Sequence, residues 1–204
     1  MIEYLTKHPE KIITPFLEHI ELTAVTLLIS ILIAGILTVL SVLIPRLGSI
    51  LLALFSVIYS IPSLALFALL IPFTGLGKVS AVIVLCAYNQ YLLLGNFLTG
   101  LSEVDPGVLE AAKGIGMSTM QELFLVQIPL AQKALFAGIR LAVVSTIGIG
   151  TIAAAINAGG LGTLLFDGLR TMNTVKILWG SLLSALLAVS VNAALKAVER
   201  KLSV

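Results

Sequence analysis

The sequence is short of charge. Of its 204 residues only 11% are Asp, Glu, Lys or Arg, while 59% are hydrophobic and the mean hydropathy is +1.14. That balance lies outside the range of soluble globular domains and points to a chain that lives in a bilayer. The formal net charge is only +2, with no Lys/Arg-rich run, so nothing supports a nucleic-acid partner. Cysteine is nearly absent: Cys86, alone in an apolar stretch, makes no disulfide framework and reads as a small buried residue. Histidine is limited to His8 and His19, both read as surface residues of the N-terminal segment, which argues against a metal or catalytic cluster. No acidic residue interrupts the long apolar runs and no internal repeat is evident, unlike the pattern of ion channels and proton-coupled transporters. The phosphate loop G-x-x-x-x-G-K-[ST] is missing too, so the chain shows no nucleotide site of that type.

What is present is a series of greasy intervals. Five lack any charged side chain and are long enough to span: Leu22–Ile44, Leu47–Leu76, Val79–Ser102, Leu141–Phe166 and Ile177–Leu195. Their lack of period-2 alternation and the penalty for unpaired backbone groups in lipid make them helices. The expectation is an all-α integral membrane protein of about five transmembrane helices. No cleavable leader is expected, because residues 1–21 mix Lys7 and Lys11 with Glu10, Glu18 and Glu21. Those residues read as an external or interfacial segment, 22–195 as the membrane domain and 196–204 as a solvated tail. Five crossings put the interval 103–140 and the C-terminus on one side, with Arg46, Lys113, Lys133, Arg140, Lys196, Arg200 and Lys201. Only Lys7, Lys11, Lys78, Arg170 and Lys176 lie on the other, so the positive-inside rule makes the first side cytoplasmic.

Polar and helix-breaking residues mark the spans. Pro62, within Tyr59-Ser60-Ile61-Pro62-Ser63, predicts a kink that either fits neighbouring helices or lines a pathway. Tyr88-Asn89-Gln90-Tyr91 and Asn96 are either hydrogen-bonded between helices or pathway lining. Gly148, Gly150, Asn157, Gly159, Gly160 and Gly162 suggest a central, closely packed fourth span that breaks at Gly159-Gly160, followed by an external hairpin over residues 163–173. Trp179 reads as an interfacial anchor.

The longest water-compatible interval lies in the middle. Asp105-Pro106 is a strong helix start, Gly114 and Gly116 suit its end, and Ser118 with Gln121 forms a possible capping box. A second short helix through Leu123, Phe124 and Leu125 is expected to stop before Pro129. The first helix offers Val108, Leu109, Ala111, Ala112 and Ile115 either to its own bundle or to a groove on another protein.

Within this interval Glu110-Ala111-Ala112, Gly116 and Val126-Gln127-Ile128-Pro129 resemble the EAA loop of ABC importer permeases, E-A-A-x3-G-x9-I-x-L-P. Val126 and Ile128 depart from it only as apolar exchanges. Tyr59 to Leu66, Ile71-Pro72 and Gly75-Leu76-Gly77 are similar to the second span of osmoprotectant permeases. Ile156 to Gly162, with Phe166 and Gly168-Leu169, is similar to their fourth. The resemblance runs from about residue 18 to 200. It implies a type I importer permease in the cell membrane that carries glycine betaine, carnitine, choline or proline, methionine-type permeases being the alternative. A secondary transporter or channel is the more distant one. It further implies a cytoplasmic two-helix coupling loop over residues 103–133, with Glu110, Ala111, Ala112, Gly116, Ile128 and Pro129 engaging the ATPase. Glu110 would fix the loop by accepting hydrogen bonds. Implied partners are two ATP-binding subunits holding ATP and Mg, a second permease (self or paralogue) and a separate extracytoplasmic binding protein. The chain itself would bind no cofactor and catalyse no reaction. For a quaternary ammonium solute, the candidate pathway residues are Tyr59, Pro62, Tyr88, Asn89, Tyr91 and Asn157.

Overall fold

The computed structural model describes residues 2–202; residues 1, 203 and 204 of the expected terminal segments lie outside it. Every element among the described residues is helical. After a short α1 (Ile2–Lys7), α2 runs from Glu10 to Leu43, twelve residues ahead of the charge-free interval. Its 34 residues reach about 51 Å, well beyond a hydrocarbon core of about 30 Å, so charges at one end do not stop the helix. One stripe of α2 is polar and buried: His19, Thr23, Thr26, Ser30 and Thr38, with Ala34 among them. The opposite side, with Leu28, Leu32 and Ile36, is exposed, the pattern of a helix whose greasy side meets lipid and whose small polar side meets other helices.

The second apolar interval is broken rather than kinked. Helices α3 (Leu47–Ser60) and α4 (Ser63–Thr74) meet at 100°. Ile61 is extended, Pro62 supplies no N–H, and the Tyr88 hydroxyl takes the Ile61 carbonyl instead. With α3 and α4 counted as one bent span, four long apolar helices and this pair make up to five crossings.

Helix α5 (Lys78–Ser102) and the fourth span, α8 (Ile128–Ile152), form the centre of the bundle together, with α2, α3 and α4 packed round α5, and α2 and the later helices round α8. The glycine-rich fourth span is central, as expected. Where α8 lies along α5, the closest approach comes at glycines outside the expected set. A Cβ on Gly100 would stand 2.5 Å from the Ala134 Cβ, and one on Gly138 2.8 Å from the Asn96 Cβ, whereas one on Gly148 would touch nothing within 4 Å.

Between α5 and α8 lie α6 (Pro106–Gly114), α7 (Thr119–Glu122) and a wide π turn over Leu123–Gln127. After α8, a 3-10 turn (Ala153–Ile156) leads to α9 (Gly162–Arg170), where a hairpin was expected. The last helix, α10 (Thr174–Leu202), packs on α8 and α9 yet buries only Gly180.

Ion pairs clamp α10 at both ends: Lys176 with Asp167, and Glu199 with Arg140. The bonds from Lys176 and Arg170 hold the Asp167 carboxyl below the usual carboxylate range. Glu199 is thus not part of a freely solvated tail; its side chain is only 16% exposed and that of Arg140 22%. Glu199→Gln keeps the shape and an acceptor oxygen but takes away the guanidinium's counter-charge, so it should lower stability in detergent by about 1–3 kcal/mol. An unchanged thermal midpoint would remove the clamp.

Candidate functional site

The interval between α5 and α8 is built by local bonds. Asp105 Oδ1 accepts the Gly107 N–H at 2.7 Å, and Pro106 begins α6 where its missing donor does no harm. At the other end Gly116 adopts φ 86°, its N–H reaches the Lys113 carbonyl at 2.9 Å, and the Met117 N–H reaches that of Ala112 at 3.1 Å. These two bonds form a Schellman stop, which favours Gly at the left-handed position. Ser118 and Gln121 form a reciprocal capping box, as expected, and α7 begins there.

The second helix does not stop before Pro129. It passes through the π turn into α8, with the Ile128 N–H bonded to the Leu123 carbonyl five residues back. A turn widened by one residue relieves the clash between a proline ring and the carbonyl four residues earlier, so Pro129 is accommodated without a break. Gln127 and Glu122, also five apart, join across the same turn at 3.3 Å. The expected two-helix lobe is therefore one free helix, α6, beside the root of a long one.

The six residues expected to act together divide between two faces. Ala112 is buried, and Ile128 packs with Leu109 on a cluster of Leu101, Val104, Leu123 and Ala131. Glu110, Ala111, Gly116 and Pro129 are exposed. So are Val108 and Ile115, the latter 77% exposed, which with Ala111 make an outward apolar stripe at i, i+3 and i+7. Glu110 accepts no hydrogen bond from the described residues; it does not fix its own loop.

At the α3–α4 break three tyrosines come together. The Tyr59 ring lies 5.0 Å from that of Tyr91 and 5.5 Å, edge-on, from that of Tyr88. Tyr88 is buried and braces Ile61, whereas Tyr59 is 37% exposed beside the exposed Pro62. Asn89 stands apart from them. Only 1% exposed, it donates to Thr146 Oγ1 at 2.8 Å and to Ser30 Oγ at 3.2 Å, tying α5 to α8 and α2. Gln90 adds a bond to the Ser30 carbonyl at 3.2 Å. Asn157 ends the 3-10 turn at φ 62°, in a second Schellman stop closed by the Ala158 N–H on the Ala153 carbonyl at 3.2 Å, between Ile156 and Ala158, which pack in one cluster with Tyr88.

One constellation was not anticipated. His19 is fully buried, not a surface residue, with Nε2 3.1 Å from the Ile147 carbonyl oxygen, and Glu18 Oε2 accepts the Gly160 N–H at 2.9 Å. Gly159 and Gly160, at φ 80° and 81°, leave room for these side chains, since a Cβ there would stand 2.5 Å from Glu18 and 2.8 Å from His19. The signal in the sequence is the pair of glycines, which suggests a helix break and in the structure also makes a seat for Glu18 and His19.

The description binding-protein-dependent transport system inner membrane component matches residues 27–204. The choline transport system permease protein OpuBB of Bacillus subtilis is 32% identical over 203 residues, all of this chain and 94% of that protein. The osmoprotectant import permease protein OsmW of Salmonella typhimurium is 36% identical over 193 residues, 92% of this chain and 90% of that one. Among solved structures, an inward-facing MetNI methionine ABC transporter superposes with a TM-score of 0.87 at 21% identity, covering 95% of this chain and 96% of its own. That likeness establishes the type I importer fold. The chain belongs to the family of binding-protein-dependent transport system inner membrane components, the membrane permeases of ABC importers.

Proposed function

We propose that this chain is the permease subunit of an ATP-driven importer for compatible solutes, a class comprising glycine betaine, carnitine, choline and proline. Relatives named for choline and for osmoprotectants, similar over at least 92% of the chain, support that class. The methionine alternative has only a likeness of fold behind it.

The observation that carries the coupling role is the outward stripe Val108, Ala111 and Ile115 on a short helix capped at both ends. A helix presenting i, i+3 and i+7 apolar residues suits a groove on a partner. In this reading α6 sits in a cleft of the ATP-binding subunit, on the cytoplasmic side with the C-terminus. Glu110, Ala111, Gly116 and Pro129 are open to the partner, while Ala112 and Ile128 hold the helix on its own bundle. ATP and Mg are bound by that partner, a second permease completes the membrane pair, and a separate binding protein delivers the solute on the opposite face. Nucleotide-driven closure then biases two global states through α6.

The test is reconstitution with the cognate ATP-binding subunit and binding protein, assayed with a panel of the four solutes and methionine. Uptake is expected to require ATP, to ignore an imposed ion gradient and to favour the quaternary ammonium solutes. Gradient-driven uptake without the ATPase, or transport of methionine alone, would overturn the assignment.

A further inference from the structure

Beside the tyrosine cluster a groove of about 460 Å³ runs along the seam of α3 and α5. Its walls are Leu52, Ala53 and Ser56 on one side and Tyr91, Leu92, Gly95 and Asn96 on the other. No ionised side chain lines it. The spacing of Leu52, Ser56 and Tyr59 continues the same stripe of α3 up to the break, so the groove leads toward the partly exposed ring of Tyr59. At that end α3 stops, and the last carbonyls of a helix carry the negative end of its dipole. Ser60 Oγ donates to the Val57 carbonyl and the Ile61 N–H to that of Ile58, while Pro62, having no N–H, donates to none, which leaves the Tyr59 and Ser60 carbonyls to face a ligand.

The geometry points to a quaternary ammonium site in this groove, formed by the faces of Tyr59 and Tyr91 and the C-terminus of α3, and selective for cations over zwitterions. This inference rests on the solute class proposed above and narrows it. A small hydrated ion gains too little here, because stripping its shell in a cavity without a counter-charge is costly. A quaternary ammonium spreads its charge under methyl groups, and ring faces with a helix C-terminus are sufficient to hold it. Tyr88 does not contact the solute; its hydroxyl is committed to Ile61 and its ring to the brace.

The same lining disfavours a carboxylate. Asn96 donates to the Leu92 carbonyl at 2.8 Å and Ser56 to the Ala53 carbonyl at 2.8 Å, and no Lys or Arg faces the groove. A zwitterion such as glycine betaine would bury an acid group there without a donor of charge, whereas choline presents only a hydroxyl. Choline is therefore the better ligand of the two.

The test is equilibrium binding of radiolabelled choline and glycine betaine to the purified permease and ATPase complex in nanodiscs, with no binding protein present. Choline is expected to bind more tightly than glycine betaine. Tyr59→Ala and Tyr91→Ala should each weaken choline by about tenfold, while Tyr59→Phe and Tyr91→Phe, which keep the ring, stay within about twofold of wild type. Alanine variants that bind like wild type, phenylalanine variants as weak as alanine, or glycine betaine bound as tightly as choline would each overturn the site. Intact ATP-driven uptake of quaternary solutes alongside any of these results would leave the solute class standing and remove only this groove. Absence of both binding and uptake would remove the two together.

Discussion

Gly116→Asp should leave the chain folded in the membrane and abolish uptake. The backbone tolerates the exchange: Gly116 sits at φ 86°, a conformation that costs most residues about 1–2 kcal/mol but that Asp visits more readily than others. A Cβ there meets nothing within 4 Å, and the two bonds of the Schellman stop are between main-chain groups. What changes is the surface next to Ile115 and Met117. In the proposed complex a new carboxylate must be desolvated against the ATPase with no cation to receive it, which costs several kcal/mol. Gly116→Ala, with at least as much backbone strain and no charge, separates the two effects and should keep much of the activity. The measurement is solute uptake together with co-purification of the ATP-binding subunit. Normal transport by the Asp variant would remove α6 from the coupling role.

That prediction stands on a part of the chain that could be read from its letters, because the bonds that shape α6 are short in sequence. Asp105 to Gly107 and Ser118 to Gln121 are contacts of two and three residues, fixed by side chains that do the same wherever they occur. Pro129 misled for a matching reason: a proline after a helical stretch usually ends it, and only the widened turn, with its bond from Ile128 to Leu123, shows how the helix continues. Charge-free intervals located the spans but not their ends, since α2, α8 and α10 run on beyond them with their charges exposed, in ion pairs or, for Glu18, on a backbone N–H. The break at Pro62 was legible as a disturbance. Its 100° angle was not, because it depends on Tyr88 reaching Ile61 from 27 residues away. His19 was furthest from view: its burial is decided by Ile147, 128 residues on, and by the glycines that make room for it. At the candidate site the family motif identified a set of residues, yet not that Ala112 faces inward while Ala111 faces out. That division follows from which side of α6 meets Leu101, Val104 and Leu123.

The same glycine-built seam sets the largest expected loss of stability. Gly162 opens α9, and a Cβ there would stand 1.8 Å from the Thr151 carbonyl oxygen, 2.7 Å from its carbon and 2.8 Å from the Ala154 Cβ. Two of these three atoms are backbone at the end of α8, so no side-chain rotation relieves the overlap. Gly162→Ala must therefore move α9 off α8. The movement would pull the fully buried Leu161 and its neighbour Leu164 out of their cluster with Ile12, and strain the bond from Gly160 to Glu18. Overpacking of this kind costs at least about 1–3 kcal/mol, and the backbone overlap here puts it at or above the top of that range. Gly35→Ala adds the same methyl group where nothing lies within 4 Å, inside α2, and should stabilise by about 0.5–1 kcal/mol through helix propensity. Thermal midpoints of the two variants in one detergent should therefore fall on opposite sides of wild type, with Gly162→Ala also giving less monodisperse protein. Equal midpoints would mean that α8 and α9 are not locked together at this point. In that case the contact of Glu18 with Gly160 would lose its fixed platform as well.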